Sequence, residues 1–295
     1  MKSFAGKVAV ITGGGSGFGA AFALKAHSLG MRIVLADVQA DALEQQVERL
    51  REAGAQVIGV RCDVSSDAEV ARLAQAAYER FGAVNLLFNN AGVAGTGGYL
   101  WENSEADWRW TLGVNLLGVA NGVRHFVPRM IAAGLDAEGG HIVNSASIAG
   151  WLCAPLLGVY NASKAAVVSA SETLFHDLKL AGSGIGVSVL CPAFVPTAIF
   201  ASERNRPADL ANAAPPTASQ RLARAAGEKA VAGGKLTADE IAEQTFEAIR
   251  ANRFYVFPHP QIMPMVRARV DAALDGAEPA DPYAARPGTR PRPAE

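Results

Sequence analysis

Cysteine is scarce and scattered: the chain has three in 295 residues (Cys62, Cys153, Cys191), with no C-x-x-C spacing. That excludes a disulfide framework and a dithiol redox pair, and it predicts free thiols in a reducing cytoplasm. Cys153 falls between Ser147 and Tyr160, where it either packs or lines a pocket. The five histidines (His27, His125, His141, His176, His259) form no H-x-x-x-H or similar ligand pattern, so no metal site is expected. Charge of one sign is also lacking. Twenty-seven Lys and Arg against 28 Asp and Glu leave a net charge of -1, which offers neither nucleic acid nor a membrane surface an electrostatic footprint. No apolar run approaches the roughly 18 residues of a membrane span. The opening MKSFAGK leads straight into a strand-like run without the apolar segment and cleavage site of a signal peptide. What is present is the composition of a globular enzyme, 50% hydrophobic and 19% charged, at a length that suits one large α/β domain or two small ones.

Strand-like and helix-like stretches alternate from residue 7 onward. Lys7 to Thr12 (KVAVIT) reads as a strand buried on both faces. It ends in Gly13-Gly14-Gly15-Ser16-Gly17-Phe18-Gly19, followed by a helical run. Strand, glycine turn and helix form the context of a dinucleotide fingerprint: the glycines admit a pyrophosphate, and the helix N-terminus offers it free N–H groups. The spacing here is T-G-x-x-x-G-x-G, through Gly13, Gly17 and Gly19. A second strand, Arg32 to Ala36, ends at Asp37, 18 residues past Gly19, near the place of the acid that binds an adenosine ribose. A carboxylate there accepts from both ribose hydroxyls and repels a 2′-phosphate, so its sign favours NAD over NADP. Asp37 could equally cap the next helix. The third strand, Val57 to Cys62, ends in Asp63-Val64, where a carboxylate could meet an adenine amino group. The fourth, Val84 to Phe88, ends in Asn89-Asn90-Ala91-Gly92, with amides suited to locking neighbouring strand ends. The predicted architecture is a doubly wound, Rossmann-like parallel sheet of about seven strands with helices on both faces, in a single domain.

A long helix is predicted over 108–127 with Asn115 inside it. A polar Asn in an apolar stripe needs partners, and it either ties down a backbone distortion or joins a proton relay. A fifth strand, His141 to Ser145, delivers Ser147 to a strand C-terminal end, the edge where open α/β sheets bind ligands. Thirteen residues on stands Tyr160, and four after it Lys164. On a helix the two share a face, and an ammonium beside a phenol is expected to pull its pKa down from about 10. Such a Tyr can exchange a proton at a carbonyl or alcohol oxygen, with Ser147 hydrogen-bonded to the same oxygen. The Ala/Ser-rich surface of that helix permits close packing of a second subunit. A sixth strand, Gly186 to Cys191, leads into Pro192-Ala193-Phe194-Val195-Pro196-Thr197. Residues 198–235 read as a weakly patterned insert, and such inserts beside clefts act as lids. Thr237-x-x-Glu240 opens another helix as a capping box, Phe254 to Phe257 forms a last strand, and 262–274 a last helix. Residues 276–295, rich in Pro and charge, read as a tail with no core of its own.

These motifs together resemble the short-chain dehydrogenase/reductase family in its common single-domain form, over about residues 5 to 258. The resemblance rests on TGGGSGFG at 12–19, Asp63-Val64, NNAG at 89–92, Asn115, and Ser147 with Tyr160-x-x-x-Lys164. It implies a catalytic tetrad of Asn115, Ser147, Tyr160 and Lys164. Tyr160 would be the acid/base, Ser147 would polarise the substrate oxygen, Lys164 would lower the Tyr pKa and bind the nicotinamide ribose, and Asn115 would hold a proton-relaying water. It implies cofactor contacts from Gly13, Ser16, Gly17, Phe18, Gly19, Asp37, Asp63, Val64, Asn90, Ala91, Gly92, Pro192, Val195 and Thr197 besides Tyr160 and Lys164. The family's Pro-Gly after the sixth strand stands here as Pro192-Ala193. The domain reading is a catalytic domain over 1–258 and a C-terminal extension over 259–295, longer than the family's usual end. WRWTLGVN and FYVFPHP add a looser likeness to bacterial members that include lignin-dimer Cα-alcohol dehydrogenases.

The expected function is NAD-dependent interconversion of a secondary alcohol and a ketone, by a homodimer or homotetramer. The apolar residues assigned to the cleft (Trp151, Leu152, Cys153, Phe194, Phe200) point to a bulky hydrophobic, aromatic or alicyclic substrate. The competing readings are an NADPH-dependent carbonyl reductase and a nucleotide-binding scaffold without turnover. A partner-recruiting tail is a further possibility, on which composition is silent.

Overall fold

In the computed structural model, which describes residues 1–284 and 287–291, seven strands form one parallel sheet. They are β1 (Val8–Thr12), β2 (Arg32–Asp37), β3 (Val57–Arg61), β4 (Leu86–Asn89), β5 (His141–Ser145), β6 (Gly186–Leu190) and β7 (Tyr255–Val256), in the order β3-β2-β1-β4-β5-β6-β7. Every residue of β1, β4, β5 and β6 is buried, as two covered faces require. Helices α1 (Gly17–Ser28), α2 (Ala40–Glu52) and α8 (Ala238–Arg250) pack on one face around Phe22, Phe88 and Phe246. Helices α3 (Asp67–Phe81), α5 (Gly118–Ala132) and α6 (Gly158–Leu180) pack on the other around Leu73, Leu87 and Phe126. The strand order reverses between β1 and β4, which opens a crevice at their C-terminal ends.

Two segments differ from their sequence reading. The helix expected over 108–127 starts earlier, as α4 (Glu105–Leu112) behind a Ser104–Asp107 capping box, and continues through a π-helical turn (Gly113–Leu117) into α5. Asn115 lies inside that turn, so the distortion it was expected to tie down is present. The insert at 198–235 is better ordered than its composition suggests. It contains 3₁₀ turns and α7 (Ala218–Ala232), capped by a Thr217–Gln220 box. Pro215 and Pro216 end immediately before the cap, where proline costs the helix nothing. Helix α8 starts at the predicted cap, Thr237 with Glu240, and α3 is capped by Ser66, whose side chain accepts from the Glu69 N–H. Helix α9 (Met263–Leu274) follows β7. Of the predicted tail, residues 285–286 and 292–295 lie outside the described residues.

Candidate active site

The first strand hands its ligand edge to the neighbouring strand through Thr12. Its Oγ1 donates to the Phe88 carbonyl at 3.2 Å and accepts from the N–H groups of Asn90 and Ala91 at 2.9 and 3.1 Å. Asn90 Nδ2 answers by donating to the Thr12 carbonyl at 2.9 Å, and Asn89 Nδ2 donates to Asn144 Oδ1 at 2.9 Å. The NNAG amides thus lock strand ends, as their position in the sequence implies. Beyond Thr12, Gly13 takes φ +65° beneath Ala91. Gly19 comes closer still: a Cβ on it would stand 2.0 Å from the Gly13 carbonyl oxygen, so helix and turn meet backbone to backbone. Ser16 caps α1 in position but makes no side-chain capping bond, and the first turn holds no acid. The free N–H groups and the positive end of the helix are left for an anion.

Asp37 is not a helix cap, since Gln39 occupies that place in α2. Its carboxylate ties the glycine turn to the following loop, Oδ2 accepting from Gly15 N–H and Oδ1 from Gln39 N–H, both at 3.0 Å. Asp63 Oδ1 accepts from Ser65 N–H and Oγ at 2.9 and 2.7 Å. Asn115 is fully buried and clamps Val93 on both sides, with Oδ1 accepting its N–H at 2.8 Å and Nδ2 donating to its carbonyl at 3.0 Å. Nδ2 also reaches Ser163 Oγ at 3.0 Å. Gly92 makes room between two of the tetrad residues: a Cβ there would lie 3.4 Å from both Asn115 Oδ1 and Lys164 Nζ.

Tyr160 and Lys164 extend from one face of α6, with Lys164 Nζ 5.7 Å from the centre of the Tyr160 ring. Lys164 is buried and donates to the Ser145 carbonyl at 2.8 Å. Desolvation pushes its amine down to about 8. The same burial pushes the Tyr160 phenol up to about 12, with a hydrogen bond to Ser147 acting the other way. The expected lowering of the Tyr160 pKa by Lys164 is therefore not found in the free protein. The ammonium is turned toward Ser145, and the phenol loses more from desolvation than it gains from the hydrogen bond.

Most of the predicted site residues meet in one cleft of about 370 Å³. Its wall includes Gly13, Ser16, Gly17, Phe18, Asp37, Asp63, Val64, Asn90, Ala91 and Gly92 on one side. Ser147, Tyr160, Lys164, Pro192, Val195 and Thr197 complete it. Gly19 and Asn115 stand behind this wall, supporting it. Leu152, Phe194 and Phe200 line the cleft as expected, but Trp151 and Cys153 do not. Trp151 instead packs edge-on against Tyr255 and Phe257 at 5.8 and 5.9 Å. Cys153 is exposed beside a second cavity. Among the described residues no group of three or more His, Cys, Asp or Glu could hold a metal ion, and no helix is long and apolar enough to cross a membrane.

Sequence reasoning missed what the insert contributes. Arg204 reaches the cleft, with Nε 3.3 Å from Gln39 Oε1 just past Asp37. Arg206 pairs with Asp107 at 2.8 Å with both side chains buried, and its guanidinium lies 5.1 Å from the ring centre of Trp110, another cleft residue. Glu102 accepts from Thr217 Oγ1 at 2.7 Å and from Ser219. No local pattern announces these pairs, because their partners lie 99 to 165 residues apart. The Thr217-x-x-Gln220 cap was a usable signal for α7.

The sheet order, the glycine turn and the Ser-Tyr-Lys cluster define a nucleotide-dependent oxidoreductase fold, and the sequence model for short chain dehydrogenases matches residues 7–208. The chain belongs to the short-chain dehydrogenase/reductase family. It is similar to a short-chain dehydrogenase/reductase from Burkholderia phymatum, solved in complex with NAD, at 56% identity and a TM-score of 0.93, over 95% of this chain and 99% of that one. It is 36% identical to the CLA biosynthesis dehydrogenase/reductase of Lactiplantibacillus plantarum, over 94% of this chain and 96% of the relative. A C alpha-dehydrogenase of a Sphingobium species is 35% identical over 97% of this chain and 92% of the relative.

Proposed function

We propose that the protein is an NAD-dependent dehydrogenase interconverting an uncharged, bulky secondary alcohol and its ketone, with Tyr160 as acid/base. The observation that carries this is the sharing of one cleft by the Ser147, Tyr160 and Lys164 side chains, the uncapped start of α1 and the Asp37 carboxylate. The glycine turn fits the cofactor, since Gly17, at φ +54°, lines the cleft opposite Thr197 where a Cβ would take up space. The relative from Burkholderia phymatum supports the choice of NAD.

In this reading the N–H groups at the start of α1 hold the pyrophosphate, and Asp37 accepts from the adenosine ribose and disfavours a 2′-phosphate. NAD, when bound, supplies the hydride acceptor. Tyr160 takes the hydroxyl proton of the alcohol, or returns it to the ketone oxygen, and Ser147 hydrogen-bonds the same oxygen. Lys164 binds the nicotinamide ribose and keeps a positive charge 5.7 Å from the centre of the phenol ring. Asn115 keeps Val93 and the wall beneath it in place. Residues 198–235 act as the substrate lid of the 1–258 catalytic domain, anchored through Arg206 and Glu102. The enzyme works in the cytoplasm as a homodimer or homotetramer, packed on the exposed small residues of α6 (Ala162, Ser169, Ala170). Arg204 favours a second reading, an NADPH-dependent carbonyl reductase, because it brings a cation beside the Asp37 loop.

A spectrophotometric screen of secondary alcohols with NAD and with NADP tests the proposal. NADH should appear with aromatic or alicyclic alcohols. Failure of every alcohol to reduce either cofactor would overturn it, and turnover with NADP alone would establish the second reading.

A further inference from the structure

The C-terminal extension has little to pack against except the cleft. No side chain of α9 is fully buried. Ile262 just before it and Met265 within it, with Pro282 and Tyr283 from the strap that follows, line the same cavity as Tyr160. The extension is also fastened there. Arg269 Nη1 donates to the Trp151 carbonyl at 2.9 Å, which pins α9 to the loop between Ser147 and Tyr160. In the strap, Asp281 accepts from Tyr283 N–H at 2.9 Å and is paired with Arg290. Burial raises the Tyr283 phenol pKa. A second cavity separates the strap from Leu152 and Cys153, so strap and loop are not packed solidly together. The charged side chains in the wall of the main cleft are Asp37, Asp63, Lys164 and Arg204, none of them from the extension.

We infer that the extension is the roof of the substrate site, and that Tyr283 and Met265 are specificity-determining residues selecting large, uncharged ligands. This rests on the dehydrogenase reading of the same cleft. The half-buried apolar faces of Ile262, Met265, Pro282 and Tyr283 are covered completely only when something apolar fills the space beneath them. A ligand extending past Tyr160 removes that surface from water, and a small one leaves it wet. A thioether chain and a phenol suit this task, the first adaptable in shape and the second presenting a flat, wide contact.

The test uses the full chain saturated with NAD, titrated calorimetrically with 2-acetonaphthone and with cyclohexanone. Neither ketone turns over with the oxidised cofactor, so binding is read without activity. Tyr283→Ala and Met265→Ala should each weaken 2-acetonaphthone, the former by about tenfold, and leave cyclohexanone within about twofold. Tyr283→Phe should restore most of the loss, and Val270→Ala, at an exposed position on the same helix, should change nothing. Equal losses for the two ketones, no loss for either, a loss with Val270→Ala, or a parent protein that does not bind 2-acetonaphthone would each overturn the inference. A parent that binds both ketones but oxidises no alcohol would defeat the dehydrogenase reading and leave the roof standing.

Discussion

Lys164 and Tyr160 share one turn of α6, yet the Lys164 ammonium bonds the Ser145 carbonyl at 2.8 Å and stands 5.7 Å from the phenol ring centre. The pair titrates in an inverted order, with the amine near 8 and the phenol near 12. Alcohol oxidation needs phenolate and ammonium together. That form grows tenfold per pH unit up to about 8 and then levels, because each further gain in phenolate is cancelled by loss of ammonium. Ketone reduction needs the phenol and the ammonium. Its rate should be flat below about pH 8 and fall tenfold per unit above. Initial rates of both directions between about pH 6 and 10 check this. Reduction that stays flat to the top of that range would remove Lys164 from the titration.

Cofactor choice is expected to hinge on Asp37. NAD should be used in strong preference to NADP, and Asp37→Ala should narrow that margin by at least tenfold. The change removes the repulsion toward a 2′-phosphate and leaves Arg204 beside the same loop. The check is kcat/KM for each cofactor in parent and variant. Because Asp37 also holds Gly15 and Gln39, some loss of NAD affinity accompanies the switch, and the ratio between the two cofactors is the informative quantity.

The buried Asp107–Arg206 pair joins α4 to the insert. Burial alone would raise the Asp107 pKa. Hydrogen bonds from Thr96, Ser104, Asn212 and Arg206 outweigh it and hold the carboxylate below its usual range. Asp107→Ala leaves the buried guanidinium with only the half-exposed Glu203 carboxylate, 3.3 Å away, at an expected cost of about 3–5 kcal/mol. Chemical denaturation measures that loss. Trp110 packs against the same guanidinium and lines the cleft, so a ligand that contacts Trp110 should also bind more weakly.

The sheet, its order of elements and the cofactor half of the cleft were legible because each rests on a local pattern. Apolar β-branched runs mark the strands, Gly13 to Gly19 the turn, and Thr237 with Glu240 a helix cap. The π turn at Asn115 could be anticipated only as one of two readings, since a single Asn says that partners exist but not which. The substrate half was harder. Trp151 was placed in the cleft but packs on β7, while Trp110 and Met265 reach it from predicted helices whose cleft-facing side no pattern marked, and Arg204 and Tyr283 from segments that sequence patterns left open. Those positions are set by tertiary packing, and a Pro-rich stretch with no periodicity carries no trace of the surface it covers.

The central claim is that the Tyr160 hydroxyl carries the proton. Turnover of Tyr160→Phe, measured beside its NADH affinity by fluorescence titration, tests it most directly. The account predicts NADH binding within about threefold of the parent and a loss of kcat of at least the 10²–10⁴-fold typical of general acid–base catalysis. A phenylalanine variant that binds NADH and turns over at near the parental rate would contradict it.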